Sequence, residues 1–497
     1  MKQELVQLNP GMDSVLYASA QYQLQKCPFA LPPRKDPQFH PESAMPGLKR
    51  SNVIIIHPDL GIGGAERLII DVALALQNRG HKVTIYTSHR DKSHCFEEAR
   101  DGTLDVKVRG NTIFPAHVFR RFHVLMAILR QLHLTISVLG ETSRTSDTNE
   151  KSKESEVLED DIFIVDQVPA CVPFLKTFAR QRQRILFYCH FPDQLLAFRG
   201  EAGSLLSFVK TLYRYPFDWF EGWAMSASDK VVANSRFTRG VVKEVFGGEK
   251  LGDVSVVYPC VDTEAAALRD PVVVKDGETL WGGKKILLSI NRFERKKDMA
   301  LAIRAYHGLG AEKRRGTSLG LQTATSKTVI SALSVPDSID VLFLLSVPSA
   351  FRDMLLEHAK LLLYTPINEH FGIVPVEAMR AGIPVLASNT GGPLETIVEG
   401  ETGWLRDAKK DADWTAVMDK VLYGMDQKEF DRMSIAAKER VEREFSLTAM
   451  GDRLEAEISD MLARERRPFA GLQQILVLLA LSGVMLSLLA PFALKMI

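Results

Sequence analysis

The stretch "KLLLYTPINEHFGIVPVEAM", residues 360–379, decides the fold. Its apolar run at 361–364 reads as a buried strand, Pro366, Asn368 and Gly372 supply a turn, and a helical pattern begins near 373. Strand, turn and helix in that order make one βα step of a parallel sheet. The step leaves Glu369 ahead of the helix and Glu377 about one turn inside it. Either glutamate alone suits a helix N-terminus, where the dipole favours negative charge. Together with His370, Gly372 and "TGGPLE" at 390–395, the pair fits a chemistry of held sugar hydroxyls.

Working outward, the same step recurs. One series of short β-branched runs starts at 53 ("VIII") and continues at 82, 162, 185, 230 and 254. A second starts at 285 ("KILLSI") and continues at 341, 361 and 384. Helical patterns separate the runs, so the expected class is α/β, with two doubly wound Rossmann-like domains facing a cleft. The expected layout is an irregular extension over 1–50, an N-terminal domain over 51–263, a linker over 264–284 and a C-terminal domain over 285–445. Ser446 is placed to cap a last helix within 446–467. Residues 141–160 are polar and of low complexity, hence a solvated loop insertion. Over 118–139, Arg120, His123, Arg130 and Gln131 fall within a ~100° arc of a helix. That pattern suits an interfacial helix and a core helix with a polar stripe equally well.

With 46% hydrophobic and 25% charged residues, the chain can bury more than one core. Its 62 basic and 61 acidic residues leave a net charge of +1, so no global field favours nucleic acid and any anion site must be local. The five cysteines never stand in C-x-x-C spacing, which disfavours both a disulfide framework and a zinc site. The first residues lack the pattern of a secretory signal. Residues 468–494 hold no charged residue across 27 positions, about 40 Å of helix against a hydrocarbon core of ~30 Å. A membrane span is therefore expected there. Arg464, Arg466 and Arg467 before it, with only Lys495 after it, place the preceding domains on the cytosolic side.

Gly61, Gly63 and Gly64 lie between the first strand and its helix, where glycines let a ligand approach backbone N–H groups. Glu66 occupies the place of the third glycine of a dinucleotide fingerprint, so a nicotinamide site is disfavoured. In "NRFERKKD" at 291–298, Arg292 and Lys297 stand at the carboxyl end of a strand, where open α/β sheets bind ligands. The first acts by its fork and the second as a point charge, and the pair is suited to a diphosphate.

Glu-x7-Glu after a strand ending in tyrosine, Arg-x4-Lys in the preceding loop, and "GIGGAE" at 61–66 resemble the retaining GT-B glycosyltransferases that use nucleotide-diphosphate sugars. More narrowly, "HPDLGIGGAERL", "DQVPACVP", "ILFYCHFPDQLL", "NRFERKKDMALAI" and the opening stretch resemble the Alg2-type alpha-1,3/1,6-mannosyltransferases of the dolichol pathway, in glycosyltransferase family 4. The resemblance implies transfer of mannose from GDP-mannose to dolichyl-diphosphate-linked oligosaccharide, by α-1,3 and α-1,6 additions with retention, at the endoplasmic reticulum membrane. It implies no metal or other cofactor, and other mannosyltransferases of the pathway as partners. Arg292 and Lys297 would face the donor diphosphate, Glu369 the transferred mannose and Glu377 the ribose. The backbone of Gly372, Ile373 and Val374 would lie near the phosphates, beside Phe371. His190 matches the histidine that faces the sugar, with His370 as a second candidate.

One departure stands out. No apolar run precedes "TVISALSV", so one βα unit near 307–325 is expected to be missing. Either the gene model is imperfect there or the protein is catalytically silent, a non-catalytic scaffold of the pathway. A third alternative is a GT-B transferase using another nucleotide sugar.

Overall fold

The computed structural model describes residues 50–115, 123–147, 161–180, 182–196, 205–263, 283–292, 294–323, 341–345, 349–467 and 469. The chain divides into two compact units, one of described residues up to Tyr258 together with those from Met450, the other of residues from Pro259 to Ala449. Each is built on a parallel sheet. The first sheet contains β1 (Asn52–Leu60), β2 (Lys82–Arg90), β3 (Asp105–Val108), β4 (Asp161–Asp166), β5 (Arg184–Cys189), β6 (Lys230–Ala233) and β7 (Val254–Val256), in the order β3-β2-β1-β4-β5-β6-β7. The second contains β8 (Lys285–Ile290), β9 (Thr317–Thr323), β10 (Val341–Leu345), β11 (Ala359–Tyr364), β12 (Val385–Ser388) and β13 (Gly403–Arg406), in the order β10-β9-β8-β11-β12-β13. In both, the order reverses at a central pair, β1 with β4 and β8 with β11. That reversal opens a crevice outside the carboxyl ends of the strands, the place where doubly wound sheets bind ligands.

Strands covered on both faces must be apolar throughout. Ile54, Ile56, Phe163, Val165, Ile185 and Phe187 join one core, and Leu287, Leu361, Leu363, Leu386, Trp404 and Trp414 join the other. Each such side chain contributes about 1.5–3 kcal/mol on burial.

The strand expected to be missing is present. "TSLGLQT", β9, pairs with β8 on one side and β10 on the other. Leu319 and Leu321 are fully buried, and an ideal Cβ on Gly320 would stand 3.3 Å from the Leu288 side chain. Two apolar residues in seven make a poor strand signal; neighbours on both sides supply the ladder that local propensity does not. Residues 324–340, between β9 and β10, lie outside those described. The edge strands β3 and β13 were likewise not foreseen, being short and half polar.

Helix α1 (Gly64–Gln77) follows β1 and gives way to Gly80 in a left-handed conformation. Helix α2 (His123–Asp147) begins inside the 118–139 segment, whose first five residues are not described, and runs through 141–147 where a loop was expected. Gln131, Leu134, Thr135 and Val138 are buried, and the Gln131 amide bonds Val168 O (2.5 Å) and receives Cys171 N–H (3.1 Å). The helix is therefore a structural part of the first unit, although its span from His123 to Thr142 is long and apolar enough to cross a membrane and Ile136 is exposed. Helix α3 (Ile373–Arg380) follows β11. Helix α4 (Leu447–Ala463) starts at Ser446, whose Oγ accepts Ala449 N–H at 3.1 Å, and returns the chain to the first unit. There Arg79 meets Asp452 (2.6 Å), His81 meets Glu455 (2.6 Å), and Lys230 meets Glu457 (2.6 Å) and Asp460 (3.0 Å). The extension at 1–49, most of the insertion (148–160), the linker at 264–282 and the apolar tail beyond Phe469 lie outside the described residues.

Candidate active site

In the second unit, the loops leaving β8 and β11 bring one cation and one carboxylate together: Lys297 Nζ donates to Glu369 Oε2. Lys297 is buried, at 6% exposure, and its carbonyl accepts from Thr365 Oγ1 at 2.6 Å. A short 3-10 turn, Arg295–Lys297, delivers it there, followed by Asp298, which is left-handed (φ 36°) and caps the next helix through Leu301 N–H. A buried ammonium needs such a partner, since an unpaired charge out of water costs several kcal/mol.

Arg292 is placed differently. Its side chain is 72% exposed and meets Glu294 at 3.4 Å, so the protein alone does not draw it onto Lys297.

Glu369 and Glu377 both act on the Tyr364 hydroxyl, which burial foremost, and then these two carboxylates, push well above its ordinary range. Both carboxylates thus lie within electrostatic reach of the end of β11. Burial raises the Glu377 carboxyl too, against the opposing pull of Arg352 (3.4 Å) and Arg380, and its Oε2 has no hydrogen-bond partner. An orphaned, buried acceptor fits a site that a donor such as a ribose hydroxyl completes. His370 is half-buried, whereas Phe371 lies in the core against Phe445. Gly372 is left-handed (φ 84°), and an ideal Cβ there would stand 3.2 Å from the Tyr364 ring. Ile373 and Val374 open α3, where N–H groups lack helical acceptors.

In the first unit, Gly63 caps α1 with extended backbone, while a Cβ on Gly61 or Gly64 would meet open space. His190 follows the last residue of β5. Its Nε2 lies 3.0 Å from Asp166 Oδ2, and the same carboxylate lies 2.9 Å from His57 Nδ1 through each oxygen. His57, Asp166 and His190 come from the carboxyl ends of three adjacent strands, β1, β4 and β5. Only His190 was singled out from sequence. The missed signal was a polar residue closing an apolar run, as Asp166 does in "DIFIVD".

Residues 263–440 match the family model "Glycosyl transferases group 1", and residues 62–140 and 154–265 match "Glycosyltransferase Family 4". The chain is 46% identical over 444 residues to the alpha-1,3/1,6-mannosyltransferase alg-2 of Neurospora crassa, covering 83% of this chain and 91% of that one. It is 42% identical over 441 residues to the corresponding Schizosaccharomyces pombe protein, covering 82% and 80%. Among solved structures, the catalytic domain of starch synthase IV from Arabidopsis thaliana has a TM-score of 0.61 at 14% identity, with 84% of this chain and all of that one covered. Sucrose-phosphate synthase from Thermosynechococcus elongatus scores 0.59 at 15% identity, with 83% and 100% covered. At such identity these neighbours show the fold alone, two Rossmann-like domains of the GT-B type. Two matching glycosyltransferase models and close likeness along most of the chain make it a glycosyltransferase that belongs to the Alg2 family of alpha-1,3/1,6-mannosyltransferases.

Proposed function

We propose that the protein transfers mannose with retention from GDP-mannose to dolichyl-diphosphate-linked oligosaccharide, by α-1,3 and then α-1,6 additions, in N-glycan precursor assembly. The relatives named above support the reaction class, and the observation that carries the site is the Lys297–Glu369 pair at the ends of the central strands β8 and β11. In this reading the bond from mannose C1 to the diphosphate oxygen breaks while Lys297 and Arg292 offset the charge gathering on the departing phosphate. The acceptor hydroxyl forms its bond to C1 on the same face and gives its proton to that phosphate oxygen, releasing GDP. Glu369 holds the mannose, and Glu377 accepts from the ribose through its unpartnered oxygen.

Two cations, buried Lys297 and exposed Arg292, take the leaving-group charge in this scheme, so no metal ion is assigned. The uncharged tail at 468–494, behind Arg464, Arg466 and Arg467, is assigned to the endoplasmic reticulum membrane with the catalytic units in the cytosol. The scaffold alternative rested on a missing βα unit; β9 supplies its strand, and residues 324–340 after it lie outside those described.

The test is mannose transfer from GDP-mannose to a dolichyl-diphosphate acceptor in membranes, with and without EDTA. Lys297→Ala and Glu369→Ala should each lower turnover about 100-fold or more while the protein stays membrane-bound, and EDTA should leave the wild-type rate unchanged. Wild-type turnover in Lys297→Ala refutes the diphosphate assignment, and inhibition by UDP in place of GDP points to another donor.

A further inference from the structure

His57 and Asp166 belong to the sequence strings that carried the family resemblance, yet the proposed chemistry gives them no task. Both are fully buried, at 0% exposure, in a sheet whose other interior positions are mostly apolar. An ionised carboxylate there demands compensation. His57 provides it: Nδ1 faces both oxygens of Asp166 and Nε2 faces the carbonyl of Asp59 at 3.1 Å. Two acceptors, one at each ring nitrogen, call for two N–H donors, the arrangement of an imidazolium. Burial opposes that charge, and Asp166, with a smaller share from Glu66 at the start of α1, overcomes it. Burial likewise opposes ionisation of Asp166, whose carboxyl His57 and His190 nevertheless hold below the usual range.

Each oxygen of Asp166 faces His57, and Oδ2 also faces His190. The carboxylate's remaining capacity is an acceptor site for the half-buried His190 ring. The Nε2 proton of His190 points at Asp166, which leaves Nδ1 as a bare acceptor.

We propose that Asp166 and His57 are positioning residues that hold His190 as the neutral Nε2–H tautomer, with Nδ1 free to accept a hydrogen bond from a substrate hydroxyl. The assignment rests on the reading of His190 as the histidine that faces the sugar. The strand-end placement of all three residues beside the β1/β4 reversal supports it independently of the second unit.

The experiment has two arms. In the first, the full chain labelled with nitrogen-15 histidine is studied at pH 7, and the His190 signals are assigned by their loss in His190→Gln. The expected spectrum shows a neutral His190 protonated on Nε2 only and a doubly protonated His57; a charged His190, or one protonated on Nδ1, overturns the proposal whatever the enzyme's activity. In the second, kcat and KM for mannose transfer are measured in Asp166→Asn, His190→Ala and the double variant. Each single change should lower kcat about 10- to 100-fold, and the double variant should be no worse than His190→Ala, because Asp166 acts through that ring. Multiplied losses would show a merely structural role and overturn the proposal. His57→Asn, which keeps a donor near Nδ1, should retain more activity than His57→Ala, and equal loss in the two counts against it. A wild-type protein without mannosyl transfer would refute the proposed function and leave the tautomer measurement standing.

Discussion

Glu377 shows how a proposed binding residue is distinguished from a stabilising one. Its carboxyl is raised above the ordinary range, chiefly by burial, and one of its oxygens is orphaned. A carboxyl that ionises less readily when folded gives up stability as the pH rises above its unfolded value, near 4.3. Glu377→Gln should therefore raise the unfolding temperature of the ligand-free protein at pH 7, and the gain should vanish near pH 4. Arg352, left without that charge, retains Asp353 at 3.7 Å. The same variant should bind GDP-mannose about tenfold more weakly, read by calorimetric titration. Weaker binding with no gain in stability would mean the buried charge is already compensated. Glu369, by contrast, is matched by Lys297, and its removal leaves a buried ammonium alone. Sequence spacing marked both glutamates as a pair; the difference between them came from neighbours far along the chain, Lys297 for one and Arg352 for the other.

At the scale of elements, the loop "SNTGGP" after β12 packs straight onto the backbone of the loop "NEHFG" after β11. Gly392 N–H donates to Glu369 O at 2.7 Å, and Thr390 Oγ1 accepts Asn368 N–H at 3.1 Å. An ideal Cβ on Gly392 would fall 2.1 Å from Phe371 O, and one on Gly391 would fall 2.6 Å from Glu369 O. Backbone atoms on both sides leave no side-chain rotation to absorb the clash. Gly392→Ala should thus cost about 3 kcal/mol and displace Glu369, seen as a lower unfolding midpoint with lost transfer activity. An unchanged midpoint would mean that the two loops part freely. The glycines were legible as part of a motif, but the reason for them was not, since the atoms they avoid are more than twenty residues away. β9 is the opposite case: its two leucines gave too little periodicity to read, and ladders with β8 and β10 made it a strand.

For the molecule as a whole, α4 makes the first unit depend on the far end of the described chain. Met450, Leu454, Ile458 and Met461 are at most 2% exposed, and four such burials contribute roughly 6–12 kcal/mol, comparable to the entire net stability of a domain. Residues 50–258 produced alone should aggregate, and co-expression with a segment carrying 447–467 should restore a soluble fragment with cooperative unfolding. A soluble, cooperatively folded 50–258 fragment would contradict this. Alternating apolar runs and helical patterns determined by themselves that the chain builds two doubly wound sheets, and strand-end motifs marked which loops are candidates for chemistry, because period and turn residues are local properties of the chain. Only the tertiary structure decided that β9 completes its sheet, that α4 crosses back to the first unit, and that Lys297 meets Glu369 while His57 and His190 share Asp166. Those outcomes depend on which buried charges and open ladders find partners across long stretches of sequence, and proximity of that kind is fixed when the sheets assemble.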